Sequence, residues 1–237
     1  MSWSDRRWRL AMAGATVLAW GLVVGTAFAQ VPNTLQQRIA ACTSCHGKHG
    51  QGGHNGFNPR LAGKPALYLY HQLLDFRAGR RHYPMMQHMV RDMPDAYLRE
   101  IANYFAAQVP VWPAPPPSVM PAAFLRRGQE LVEHGDQARK VPACTACHGK
   151  RLMGLDLAIP PLLGLPKDYI SNQLGAWRGG TRHAMAPDCM ATVAARLTPQ
   201  EVAALAAWLS SQPMPADVKP APAGSLKLPL KCGDMPQ

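Results

Sequence analysis

Cys42-Thr-Ser-Cys45-His46 and Cys144-Thr-Ala-Cys147-His148 are two copies of one pentapeptide, 102 residues apart in a chain of 237. On a helical turn, positions i, i+3 and i+4 share a face. Two thiols and one imidazole therefore meet on one side, and His follows the second Cys directly in both copies. This is the attachment pattern of a c-type haem: two cysteines reach the porphyrin vinyl groups while the histidine points at the iron. A zinc knuckle or a redox dithiol also uses Cys-x-x-Cys. The sequence holds no further Cys-x-x-Cys and no His-x3-His pair to complete a tetrahedral zinc site. The expected cofactors are two covalently bound haem c groups.

The chain starts with Arg6, Arg7 and Arg9, continues apolar from Leu10 to Ala29, and closes that run with Ala27-Phe28-Ala29. A basic region, an apolar core and an A-x-A site predict a secretory signal peptide over 1–29 with processing before Gln30. A retained anchor is the alternative, since the run approaches spanning length, but Gly14, Thr16, Gly21, Gly25 and Thr26 dilute it. No later apolar stretch is long enough to span a bilayer. The expected location is an oxidising compartment, the bacterial periplasm.

The full chain carries a formal charge of +11. Without the leader, 22 cationic side chains face 13 anionic ones, a net +9. Each ferric c-haem with both propionates ionised adds about −1, so the protein stays basic. Such a charge steers association toward acidic redox partners or anionic membrane surfaces. Nucleic acid is excluded as a partner, because no basic run is interleaved with aromatics as single-strand binding requires.

The two halves repeat one another. Gly63, Pro65, Tyr68, Gln72, Leu73, Arg77 and Gly79 are matched 101 residues on by Gly164, Pro166, Tyr169, Gln173, Leu174, Arg178 and Gly180, and Phe76 by Trp177. Further along, the offset becomes 104, with Tyr104-Phe105 answered by Trp208-Leu209 and Gln108 by Gln212. A small insertion after Arg178 accounts for the change. The predicted organisation is a first domain over 30–109, a Pro-rich linker over 110–121, a second domain over 122–212 and an extended Pro-rich tail over 213–237. Five of the first eight linker residues are Pro, which makes that segment extended and semi-rigid.

The periodicity is helical throughout, and no run alternates with the period of a strand. Phe124, Leu125, Gly128, Leu131 and Val132 mark a helix ahead of the second haem motif. Middle helices follow Lys64-Pro65 and Leu165-Pro166. Closing helices place Leu98, Ile101, Ala102 and Phe105, and Val202, Leu205, Ala206 and Leu209, at i, i+3, i+4 and i+7. Thr198 and Glu201 form a capping box with Pro199 at the first helical position. The fold class is all-α. Domains this small bury little side-chain area, so the porphyrin serves as much of each core.

A haem held by one His leaves the opposite axial position of its iron to be filled. Met86 lies 18 residues before Tyr104 and Met190 lies 18 before Trp208, and they follow their histidines by 40 and 42 residues. One Met per half, in step with the flanking landmarks, predicts His46/Met86 and His148/Met190 as axial pairs. With 12 Met in the chain, Met85, Met89, Met93 and Met185 compete as ligands or simple core fillers. His82 and His88, or His183, offer a bis-His alternative; read as lying outside the repeat register, they rank below the methionines. Pro59 and Pro160 precede Tyr68 and Tyr169 by nine residues. Their carbonyls either accept the Nδ1 proton of His46 and His148 or belong to plain turns. His49, His54, His71 and His134 are read as surface or packing residues.

The series CxxCHG, P-x-L-x-G, Y-x3-Q-L, F-R-x-G-R, M-x-x-M, A-x-Y-F-A-x-Q, followed by its own repeat over residues 33 to 212, resembles the dihaem cytochrome c4 family. The resemblance implies two tandem class I cytochrome c domains. It also implies a periplasmic carrier, with peripheral membrane association, that delivers single electrons to a terminal oxidase, and it sets the family's axial methionines on Met86 and Met190. The chain departs from the family's simplest members in its long tail and in Asp188-Cys189-Met190. Six Cys less four thioethers leave Cys189 and Cys232. In an oxidising compartment this predicts a disulfide that ties the tail beside the Met loop, two free thiols being the alternative.

The leading expectation is an electron carrier with no catalytic residue and no small-molecule substrate. The alternatives are a cytochrome subunit fixed to a larger dehydrogenase or oxidase, and a dihaem enzyme such as a peroxidase or a thiosulfate-oxidising cytochrome. The enzyme requires an open or displaceable iron site.

Overall fold

The computed structural model of the chain describes residues 33–53, 56–110, 112 and 114–235. The expected signal peptide over 1–29 lies outside the described residues, as do His54 and Val111 and Pro113 of the linker. Of the described residues, those up to 38 fall in one unit and those from Ile39 onward in a second. In the first unit, Leu35–Arg38 is a single helical turn, α1, opened by Thr34 and Gln37 side chains bonding each other's backbone amides.

The second unit carries both halves of the repeat. Its helices are α2 (Ala40–His46), α3 (Ala66–Arg77), α4 (Pro84–Val90), α5 (Asp95–Ala106), α6 (Ala122–Glu133), α7 (Thr145–His148), α8 (Lys167–Arg178), α9 (Cys189–Ala194) and α10 (Pro199–Ser211). Among the described residues there is no strand, only isolated bridges. None of these helices is long and apolar enough to cross a membrane.

The predicted helices form for the stated reasons. Pro65 and Pro166 stand immediately before α3 and α8 in extended conformation and set where each helix starts. On α10, Thr198 Oγ1 accepts from the Glu201 amide and the Glu201 carboxylate accepts from the Thr198 amide, with Pro199 in the first turn. In α5, Leu98, Ile101, Ala102 and Phe105 are all buried, as the periodicity requires. Their counterparts on α10 join a core cluster with Leu131, Val132, Leu163 and Ile170. Gly128 lets α6 cross α10 closely: a Cβ there would sit 2.3 Å from the Ala204 carbonyl oxygen.

The approach to the haem motif differs between halves. In the first, α2 contains the motif. In the second, residues 134–144 separate α6 from the short motif turn α7, and an Asp136–Val141 bridge ties that connection.

The halves meet through matched residues. Arg81 and Arg182, 101 positions apart, form an antiparallel bridge. The amide of His82 bonds Thr181 O and that of His183 bonds Arg80 O, both at 2.7 Å. His82 and His183 are thus a matched pair at the 101-residue offset, a correction to their reading as out of register. The added residues of the second half fall beyond them, in the loop leading to α9. The linker does more than space the halves. Trp112 packs against the second core, and the Arg60 guanidinium stacks 4.2 Å over its ring.

Candidate haem sites

The motif histidines are set alike. His46 Nδ1 lies 2.9 Å from Pro59 O and His148 Nδ1 lies 2.9 Å from Pro160 O. A carbonyl only accepts, so Nδ1 carries the proton in each and Nε2 keeps its lone pair, the form that binds a metal. Burial lowers the pKa of both imidazoles, opposed by those carbonyl bonds, and nearby Lys64 and Arg81 lower His46 further. Cys42, Cys45, Cys144 and Cys147 form no disulfide. Burial pushes the Cys144 thiol up to about 12.

In the second half one cavity brings Cys144, Cys147, His148 and Met190 together, with Leu165 and Ile170 among its apolar wall residues. In the first half, Met86 is half-buried on α4. Met85 beside it is 61% exposed. His82, His88 and His183 are exposed, and His183 and Met185 also line the cavity of the second half.

Between the sites lies a cluster of buried cations. Arg60, Lys64 and Arg182 are almost fully buried, and Arg81 joins them half-buried. Burial pulls Lys64 down to about 8 and Arg60 to about 10. Arg60 Nε and Nη2 and Trp177 Nε1 are buried without a partner. Lys64, Trp177 and Arg182 line the same cavity as His148. Clustered buried cations and unmet donors call for anionic acceptors, because desolvated charge is costly unless paired. The two carboxylates of a porphyrin would supply such acceptors, with Lys64 and Arg182 on the wall of the cavity that holds His148. The residues therefore fit haem at both its iron and its propionate ends. Sequence reasoning missed this cluster, although Arg81 and Arg182 share the repeat offset that flagged Gln72 and Gln173.

Cys189 and Cys232 are disulfide-bonded, with Cα atoms 5.2 Å apart. The tail runs back over the second half. Ala221 bridges Leu155, its amide donating to Gly154 O at 2.9 Å, and Arg151 pairs with Asp217 at 3.0 Å.

Two tandem helical domains, each with a Cys-x-x-Cys-His turn whose imidazole is fixed for metal binding, define a dihaem c-type cytochrome. The family model for cytochrome c matches residues 36–107 and 125–213. The chain is 36% identical over 176 residues to the thiosulfate dehydrogenase electron acceptor of Thiomonas intermedia (strain K12), across 74% of this chain and 80% of the relative. Reduced cytochrome c4 from Pseudomonas stutzeri superposes with a TM-score of 0.64 at 32% identity, covering 74% of this chain and 95% of that one. Thiosulfate dehydrogenase (TsdBA) from Marichromatium purpuratum, in its as-isolated form, gives a TM-score of 0.65 at 36% identity over 73% of this chain, which spans only 36% of that longer one. The chain belongs to the cytochrome c family, in its dihaem cytochrome c4 branch. It carries two covalent haem c groups and works as an electron carrier rather than a catalyst.

Proposed function

We propose that this chain is an exported, periplasmic carrier that accepts single electrons from a thiosulfate-oxidising dehydrogenase and passes them toward a terminal oxidase. In this reading Cys42 and Cys45 hold one haem through thioether bonds, and Cys144 and Cys147 hold the other. His46 and Met86 are the axial ligands of the first iron, His148 and Met190 those of the second. Each haem, when bound, supplies one Fe(III)/Fe(II) couple.

The chain's own residues set the terms of that couple. Pro59 and Pro160 hold the imidazole rings in one tautomer and orientation. Lys64, Arg60 and Arg182, buried, and Arg81, half-buried, would compensate the propionate charge. The apolar walls exclude solvent, and ligands that stay in place in both oxidation states keep reorganisation small. The observation that carries this reading is the cavity with both His148 and Met190 in its wall; Met185 and His183 line it too, and Met190 is the one that keeps the repeat's 18-residue spacing to the closing helix aromatic. A sixth position filled from within the chain leaves no place for substrate. The name of the Thiomonas relative points to the donor, and the basic surface suits an acidic docking face on it.

The test mixes ferric holoprotein with thiosulfate dehydrogenase turning over thiosulfate and follows haem absorbance by stopped flow. Reduction of both haems at a rate that saturates with dehydrogenase supports the assignment. Failure to reduce either one removes the donor, and a high-spin ferric spectrum removes the closed iron site. The match to about a third of the longer Marichromatium chain (36%) favours a second reading, a subunit held to its dehydrogenase. Co-elution of the two proteins at micromolar concentration distinguishes it from a free carrier.

A further inference from the structure

The two axial loops differ although the repeat makes them equivalent. At the 104-residue offset Met85 matches Cys189, so each directly precedes the methionine assigned to its iron. Met85 is 61% exposed, and Tyr83 close by is 39% exposed. Cys189 is instead bonded to Cys232 of the tail.

That bond is one of three fastenings in a row. The Gly233 amide donates to Pro187 O at 2.9 Å. Asp234 Oδ1 accepts from the Met185 amide at 3.2 Å. Gly233 lies flat on the loop: a Cβ there would sit 2.3 Å from Ala186 O and 2.5 Å from Met185 O. Cys232, Gly233 and Asp234 themselves line the cavity that holds His148 and Met190. The loop is therefore gripped along residues 185–189, and the segment gripping it forms part of the haem wall.

From this we infer that Cys232–Gly233–Asp234 is a positioning element for Met190, which makes the second haem's sulfur ligand much harder to displace than the first's. The inference rests on the axial assignment proposed above. An external ligand reaches the iron only after the methionine swings away, which requires local opening of its loop. Fastening residues 185–189 from outside raises the free energy of opening. The segment at the start of α4, with Tyr83 and Met85 exposed beside Met86, has no such anchor from the tail among the described residues and opens more readily. The chain thus has one labile and one locked haem.

Cyanide binding to the ferric holoprotein, followed at the weak far-red Met–iron band, tests this. Wild type should bind in two phases of equal amplitude with rates at least tenfold apart. Cys189→Ser with Cys232→Ser, and independently Gly233→Ala, should accelerate the slow phase at least tenfold and leave the fast phase unchanged. Asp234→Ala should accelerate it less, and Asp234→Asn, which keeps the amide acceptor, should restore the slow rate. Met190→Ala fixes the assignment by removing the band from the slow haem alone. If the slow phase is unmoved in both the double-serine and Gly233→Ala proteins while Met190→Ala abolishes its band, the positioning role fails and the ligand stands. If Met190→Ala leaves both bands intact, the ligand assignment itself fails.

Discussion

Arg81 and Arg182 occupy equivalent places in the repeat, meet in an antiparallel bridge, and each donates to the same two acceptors. Arg81 reaches Gln72 Oε1 at 2.9 Å and Gln173 Oε1 at 2.6 Å, while Arg182 reaches them at 2.8 and 2.6 Å. Each glutamine carbonyl thus accepts from both halves, and the four side chains act as one lock. Arg182→Met leaves both glutamines short of a donor in a buried place. The expected cost is about 2–4 kcal/mol in denaturant unfolding, with a single transition splitting into two. A loss below about 0.5 kcal/mol would place the coupling elsewhere.

Glu201 gives the second half an acid-sensitive joint. The Arg139 guanidinium, then the Thr198 amide and Arg127, hold its carboxyl down to about 2 from an ordinary 4.5. A lowered carboxylate pKa stabilises the fold above the unfolded value, and that stability drains away as pH falls from 4.5 toward 2. With both arginines partly solvated, the contribution is on the order of 2 kcal/mol. Glu201→Gln should lose about that much near neutral pH and flatten the acid limb over the same interval. A variant curve parallel to wild type would refute the assignment.

Cys144→Ser combined with Cys147→Ser should halve the iron bound per polypeptide and leave one haem by pyridine haemochrome. Because core residues of that half, Leu165 and Ile170 among them, line the same cavity as His148, helical content should fall as well, by far-UV circular dichroism. Two irons per chain in this variant would contradict the thioether assignment.

Charge should govern encounter. A chain of formal charge +11 should be reduced by the proposed acidic dehydrogenase several-fold more slowly at 0.5 M than at 0.05 M salt, with the first-order step inside the complex unchanged. An association rate indifferent to salt would exclude electrostatic docking.

Trp112→Ala removes a ring that Arg60 covers at 4.2 Å and that lies against Gly164. Loss of its packing should cost about 2–4 kcal/mol. Replacement by Phe should recover more than half of that, which a spacer role for the linker would not produce.

Much of this was legible because repetition supplies an internal alignment. Pro65 and Pro166, the i, i+3, i+4, i+7 faces of α5 and α10, and the Thr198–Glu201 box are local signals, and local signals survive in sequence. Pro59 and Pro160 were visible as a matched pair, yet only geometry separated a histidine partner from a turn residue. The buried cations were not legible. Lys64 and Arg60 look like surface residues until the partner half and Trp112 close over them, and burial against a distant segment leaves no periodic trace. His82 and His183 still follow the 101-residue offset, and the 104-residue offset takes over only between them and Met86/Met190, so the point of change had to come from the contacts. The tail's grip on the 185–189 loop was legible only at the Cys189–Cys232 pair; its bonds to backbone, the Gly233 amide on Pro187 O and the Met185 amide on Asp234, follow from geometry that sequence does not report.

The reciprocal contact has a consequence for origin. Residues at one repeat position touching residues at the same position of the other copy is the signature of an isologous dimer, in which a single patch is complementary to itself. Here both copies of that patch reside on one polypeptide, so association no longer depends on concentration. Freed from identity, each copy can change alone, and only the second acquired a cystine-anchored C-terminus.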